Sequence, residues 1–157
     1  MLQEQIEKCE NEKDVDELIN ECVINIESEN ITNKDNFLSL TNVSFDVCIA
    51  EIFTPLFYGA KLSLYRDITY STIEEIVKYI VKNKITFAYF PPSMLEDIAD
   101  AIEKNKEKIN LNKMLVGVEP IKTTTLEKFI TIKPDLHIIN GYGPSETTIC
   151  STMYDFS

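Results

Sequence analysis

From Asp35 onward the sequence switches repeatedly between two hydrophobic periodicities, and this alternation restricts the fold more than any other feature of the chain. Phe37–Thr41 (FLSLT) is a short apolar strand candidate. Phe45, Ile49, Ile52, Phe53 and Leu56 then recur at helical spacing up to Gly59, a good terminator. Ala60–Tyr65 reads as a strand. Thr72 is placed to cap a helix over Ile73–Asn83, whose Ile73, Ile76, Val77, Ile80 and Val81 form one stripe. Ile85–Phe90 is β-branched and aromatic, as buried strands are. Pro91, Pro92 and Ser93 open a helix to about Lys104. Met114–Glu119 is a further strand, TTTLEKFIT a further helix, and Leu136–Asn140 a last strand. Strands and helices in strict alternation predict βαβ units, hence an α/β fold with a mostly parallel sheet flanked by helices.

Composition narrows the partners. The chain has 157 residues, room for one domain, and is 44% hydrophobic, which excludes wholesale disorder. A net charge of −11 gives no general attraction to nucleic acid or to an anionic membrane, so neither is an expected partner. No apolar run reaches the 18 or so residues of a membrane span, and the start MLQEQIEKCENEK is not a signal peptide. Cys9, Cys22, Cys48 and Cys150 form no CxxC pair, and with His137 alone there is no zinc spacing. These features predict a cytoplasmic protein. His137 in an apolar strand reads as a core or sheet-edge residue, and Cys48 and Cys150 as packing residues.

The charge is uneven. Residues 1–34 carry ten acids and three lysines, a net of −7, against −4 for residues 35–157. We expect 1–34 to be an acidic helical segment, with helices over Leu2–Cys9 and Val15–Ile26, and 35–157 to be the α/β unit. The acids of the first segment read as a solvated helix face.

In open parallel sheets ligands bind beyond the carboxyl ends of the strands. Asp46 follows the first strand, Tyr89 and a Pro-Pro bend close the third, and Gly117 lies in the fourth. GYGPSE (Gly141–Glu146) follows the last, so two of only four glycines fall in one loop. Asp46 has two uses from its position alone: capping its own helix, or meeting a cation in the crevice. GYGPSE equally could be a turn and capping box entering a helix.

The segments SFDVCIAEIFTPLFYGAKLSLY and INGYGPSETTIC resemble two core motifs of the amino-acid adenylation domains of nonribosomal peptide synthetases, within the AMP-forming adenylate superfamily. KITFAYFPPSML and LVGVEP resemble two more, in the same order and at fitting spacing. The resemblance covers roughly residues 36–154. It implies an ATP- and Mg²⁺-dependent activation of an amino acid to aminoacyl-AMP and pyrophosphate, followed by transfer to a carrier domain.

Matching residue by residue, Asp46 stands where such domains pair the substrate's α-ammonium. Val47, Ala50, Tyr89, Leu115, Gly117, Gly141, Ile149 and Cys150 stand where they line the side-chain pocket. These are small or apolar apart from the Tyr89 phenol, which implies an uncharged, apolar amino acid and no charge in the pocket. Asn140, Gly141, Tyr142, Gly143 and Ser145 match nucleotide-binding positions. Ser145 matches a hydroxyl that contacts phosphate and Glu146 a carboxylate that binds magnesium, so the resemblance implies these two as the catalytic residues.

Some of the family pattern has no counterpart here. Residues 1–34 contain no glycine and no phosphate loop, and the ribose-binding aspartate and the C-terminal lysine domain are missing. The expectation is therefore an internal fragment of an adenylation domain. It would be inactive alone, bind neither ATP nor Mg²⁺ tightly, and depend on the rest of that domain. Two other readings stay open. One is a fragment of an acyl-CoA or aryl-acid synthetase, whose substrates have no ammonium for Asp46. The other is a non-catalytic interaction module that keeps the fold.

Overall fold

The computed structural model describes residues 30–66, 68, 71–105, 108–117, 119–142 and 152–156. The helices expected before residue 30 lie outside the described residues, as do Gly143, Ser145, Glu146, Ile149 and Cys150.

Among the described residues ten elements follow one another: β1 (Asn36–Ser39), α1 (Val47–Phe57), β2 (Lys61–Leu64), α2 (Ile73–Asn83), β3 (Phe87–Tyr89), α3 (Pro92–Asn105), β4 (Lys113–Gly117), α4 (Thr123–Ile132), β5 (His137–Tyr142) and β6 (Thr152–Phe156). They build one six-stranded sheet in the order β2-β1-β3-β4-β5-β6. The first five strands are parallel and β6 is antiparallel to β5. The parallel α/β expectation holds.

Local chemistry sets the helix limits. Thr72 Oγ1 accepts from the Glu75 amide while Glu75 Oε2 accepts from the Thr72 amide at 2.8 Å, a reciprocal capping box. Lys84 closes α2 in the left-handed conformation, φ 53°. The end of α1 holds Pro55, which has no N–H to offer Glu51 one turn back, and Gly59 then turns the chain at φ 65°.

Two differences from the sequence reading concern β5 and β6. The strand expected to stop at Asn140 continues through Gly141 and Tyr142, and β6 had no expected counterpart. They share one cause. Asn140–Tyr142 pairs with Thr152–Tyr154, so the loop's first residues gain a partner that local periodicity does not reveal. His137 Nε2 meets Asp155 Oδ1 at 2.9 Å across the same pair.

Side chains alternate across the pleat. On one face Leu38, Ala88, Met114, Val116 and Ile138 pack under α2, α3 and α4, with Ile80, Leu95, Ile98 and Phe129 fully buried. On the other, Phe37, Phe87, Tyr89, Leu115 and Ile139 pack with Val47, Cys48, Ile49 and Ala50 of α1 and with Ile31. Phe37 and Phe87 stack with ring centroids 4.3 Å apart. Since β1 and β3 are adjacent, while the helices that follow them cover opposite faces, the gap between their carboxyl ends is the topological switch point of the sheet.

Candidate functional site

At that switch point lies a small cavity of about 10 Å³, on the order of one water. Phe37, Leu38, Val47, Ala50, Glu51, Phe87, Tyr89 and Leu115 line it. Four of the expected pocket residues, Val47, Ala50, Tyr89 and Leu115, thus share one wall system contributed by α1, β3 and β4. Gly117 and Gly141 face each other at the carboxyl ends of β4 and β5. Their approach is extreme. Gly117 has φ 146°, and a Cβ there would sit 1.8 Å from the Gly141 carbonyl oxygen, so no other residue fits.

Asp46 stands at the entry to α1. Its Oδ1 accepts from the Val47 amide at 2.8 Å, so the carboxylate caps its own helix. It is half-buried, and among the described residues no lysine or arginine pairs with it and nothing donates to Oδ2. Capping and ligand pairing are therefore compatible: one oxygen holds the helix and the second stays available.

Glu51 was not among the expected pocket residues, yet this carboxyl lies on the cavity wall at 5% exposure. Burial pushes it up from an ordinary 4.5 to about 7, against the lowering effect of bonds from Thr41, Leu40 and Ser39. Oε2 accepts from the amides of Leu40 at 3.1 Å and Thr41 at 3.0 Å, and Oε1 from Thr41 Oγ1 at 2.8 Å. The carboxyl is thus engaged by its own chain and is not aimed at a ligand. A signal was present in the sequence. Glu51 lies four residues after Val47, an acid on the helix's inward stripe.

Phe37, Leu38 and Phe87 were also missed as cavity residues. They come from strands whose sequence marks them only as apolar. Cys48 is buried, and burial together with the nearby Glu51 and Asp46 carboxylates raises its thiol further from reactivity.

Of the nucleotide-binding expectations, Asn140, Gly141 and Tyr142 lie together on β5. Gly141 is buried, Asn140 half-buried, and Tyr142 stands 65% exposed at the carboxyl rim. Among the described residues no three His, Cys, Asp or Glu side chains gather as a metal site.

Comparison with known proteins follows the same lines. Residues 15–157 match the family model described as AMP-binding enzyme. Bacitracin synthase 3 of Bacillus licheniformis is 31% identical over 125 residues, covering 78% of this chain and 2% of that protein. Gramicidin S synthase 2 of Brevibacillus brevis is 29% identical over 136 residues, covering 86% of this chain and 3% of that protein. The chain therefore spans only a few per cent of the length of these relatives. Among solved structures, the nonribosomal peptide synthetase FmoA3 superposes with a TM-score of 0.82 at 19% identity, over 89% of this chain and 15% of that one. The N-terminal subdomain of Klebsiella oxytoca NpsA, in complex with 3-hydroxyanthranilyl-AMSN, gives 0.75 at 15% identity, over 88% of this chain and 35% of that one. At these identities the likeness is one of fold.

Proposed function

The chain belongs to the family of AMP-binding enzymes, and from that premise we propose that it is the amino-acid-recognising part of an adenylation domain of nonribosomal peptide synthesis. In the complete domain the substrate carboxylate displaces pyrophosphate from the α-phosphorus of ATP, giving aminoacyl-AMP, and the acyl group then passes to a carrier thiol. The ATP part is supported by an FmoA3 structure described as an AMPPNP-bound form. The carrier part is supported by PA1221, described as a nonribosomal peptide synthetase protein with adenylation and PCP domains.

In this reading Asp46 Oδ2 pairs the α-ammonium while Oδ1 keeps capping α1. Val47, Ala50, Tyr89, Leu115, Gly117, Gly141, Ile149 and Cys150 enclose the side chain. Because Glu51 is engaged by its own loop, the walls offer a charged side chain no partner, which supports an uncharged and apolar amino acid. Tyr142, exposed beside Gly141, would pack on the adenine, with Asn140, Gly143 and Ser145 around the nucleotide and Glu146 on magnesium. Bound Mg-ATP supplies the electrophilic phosphorus and the leaving pyrophosphate. The protein residues orient the two reactants.

One observation carries the amino-acid reading. A half-buried aspartate, paired with no cation among the described residues, directly precedes Val47, which lines the apolar cavity under α1. The test compares L-leucine with 4-methylpentanoate, its des-amino acid, by NMR titration of the Val47 and Leu115 signals. The amino acid is expected to bind about tenfold or more tighter, a margin of roughly 1.4 kcal/mol, and Asp46→Asn is expected to erase it. Equal binding of the two acids, or a preference for the des-amino acid or for an aryl acid, moves the chain to the acyl- or aryl-activating branch.

A further inference from the structure

The β1–α1 connection, residues 40–46, carries Asp46 to the site over a stretch whose middle is bonded mainly to itself. Ser44 donates to Asn42 Oδ1 at 2.9 Å and the Phe45 amide to the Asn42 carbonyl at 2.9 Å, while Asn42–Phe45 are exposed. Its first two residues have left the β1 ladder, so the Leu40 and Thr41 amides need another acceptor. Glu51 is that acceptor. The same side chain that stands five residues past Asp46 on α1 reaches back to the opposite end of the loop, with three bonds from Leu40 and Thr41. Cys48 Sγ adds a weak bond to the Val43 carbonyl at 3.6 Å.

A carboxyl in this place is costly. It lies on the inward stripe of a helix against Phe37 and Leu38, where an aliphatic residue would pack without desolvating a charge. What it adds is a fixed loop: α1 holds both the residue that enters it and the strand end that precedes it. We propose that Glu51 is a positioning residue for Asp46, clasping Leu40 and Thr41 so that the Asp46 carboxylate is held at the start of α1, next to the cavity-lining Val47. The inference rests on the reading of Asp46 as the ammonium partner.

The experiment uses the full 157-residue chain with Glu51→Leu, which fills the space but removes the acceptor, and Glu51→Gln, which keeps an acceptor oxygen. Thr41→Val, which removes one arm of the clasp, guards against failure of Glu51→Leu to fold. Amide hydrogen exchange is followed at residues 40–47 and, as a reference, at Leu38, Ala88 and Met114. L-leucine binding is measured in parallel.

Glu51→Leu is expected to speed exchange at 40–47 about tenfold while the reference amides hold, and to weaken L-leucine about tenfold. Glu51→Gln should restore both to within about threefold. Thr41→Val should fall between. The proposal is overturned if exchange at 40–47 is unchanged in Glu51→Leu, if loop and reference amides accelerate alike, or if the loop loosens while L-leucine affinity does not move. It is likewise overturned if Glu51→Leu fails to fold and Thr41→Val binds as the parent does. If instead the parent chain binds no L-leucine, or Asp46→Asn binds it equally well, the amino-acid reading fails. Loop exchange then still decides whether Glu51 places Asp46.

Discussion

The two rims of the sheet handle polar groups in opposite ways. At the amino rim a cluster around Asp35 and Asn36 is tied inward. Asp35 Oδ1 accepts from Thr86 Oγ1 at 2.9 Å, and Oδ2 accepts from the amide and hydroxyl of Thr32, with Lys113 Nζ at 3.8 Å. Beside it Asn36 donates to the Asn83 carbonyl at 2.7 Å and accepts from Ser63 Oγ at 2.8 Å. At the carboxyl rim, Asp46 uses one oxygen and leaves the other, Tyr142 stands in solvent, and two glycines touch. The amino rim is built like a lock between β1, β2, β3 and β4. At the carboxyl rim Glu51 is tied to Leu40 and Thr41, while Asp46 and Tyr142 keep polar atoms that no described residue engages.

Breaking the carboxyl rim at its tightest point should have the largest effect. Gly117→Ala forces a side chain into the Gly141 carbonyl at a backbone angle that favours glycine, and should cost roughly 3 kcal/mol or more, read by urea denaturation.

Next comes acidity. The Glu51 carboxyl sits at about 7 in the folded chain against an ordinary 4.5, so between those values the native state holds a proton the unfolded state has lost. Its contribution is therefore present at low pH and is lost as pH rises through this window, by up to roughly 3 kcal/mol. The stability of the parent relative to Glu51→Gln should fall between pH 5 and 8. A difference independent of pH, or one that grows with pH, would refute this.

Unlocking the amino rim should matter somewhat less. Asp35→Ala leaves the Thr32 amide and the Thr86 hydroxyl without their acceptor, for about 2 kcal/mol by chemical denaturation, with ligand preference untouched. The smallest change in stability belongs to Asp46→Asn. Asparagine caps a helix as well as aspartate, so the melting temperature should stay within about 2 °C while the preference for an α-ammonium disappears. A large loss of stability there would make Asp46 a structural residue first.

Much of this architecture was legible because it rests on short-range rules. The α2 limits follow from Thr72 and Glu75 three residues apart, and the α1 end from Gly59. The buried strands β1, β3, β4 and β5 follow from apolar runs between turn residues. Val47, Ala50, Tyr89 and Leu115 could be grouped in advance as the walls of one cavity because motif spacing survives in the linear chain. Glu51 escaped because an acid on a helix is ordinarily solvent-facing, and its partners lie ten and eleven residues upstream at the end of another element. β6 escaped because a five-residue stretch such as TMYDF is a strand only when a neighbour offers it a ladder.

By itself the amino-acid sequence determined the alternation of strands and helices, the parallel sheet and the family, since each depends on periodicity, caps and motif order within a few residues. Tertiary structure alone decided that β1 and β3 lie side by side, that Gly117 meets Gly141, and that a buried carboxyl on α1 grips the loop in front of it. Those contacts join residues far apart in the chain, and their energies exist only once the sheet has brought the partners within hydrogen-bonding or van der Waals reach.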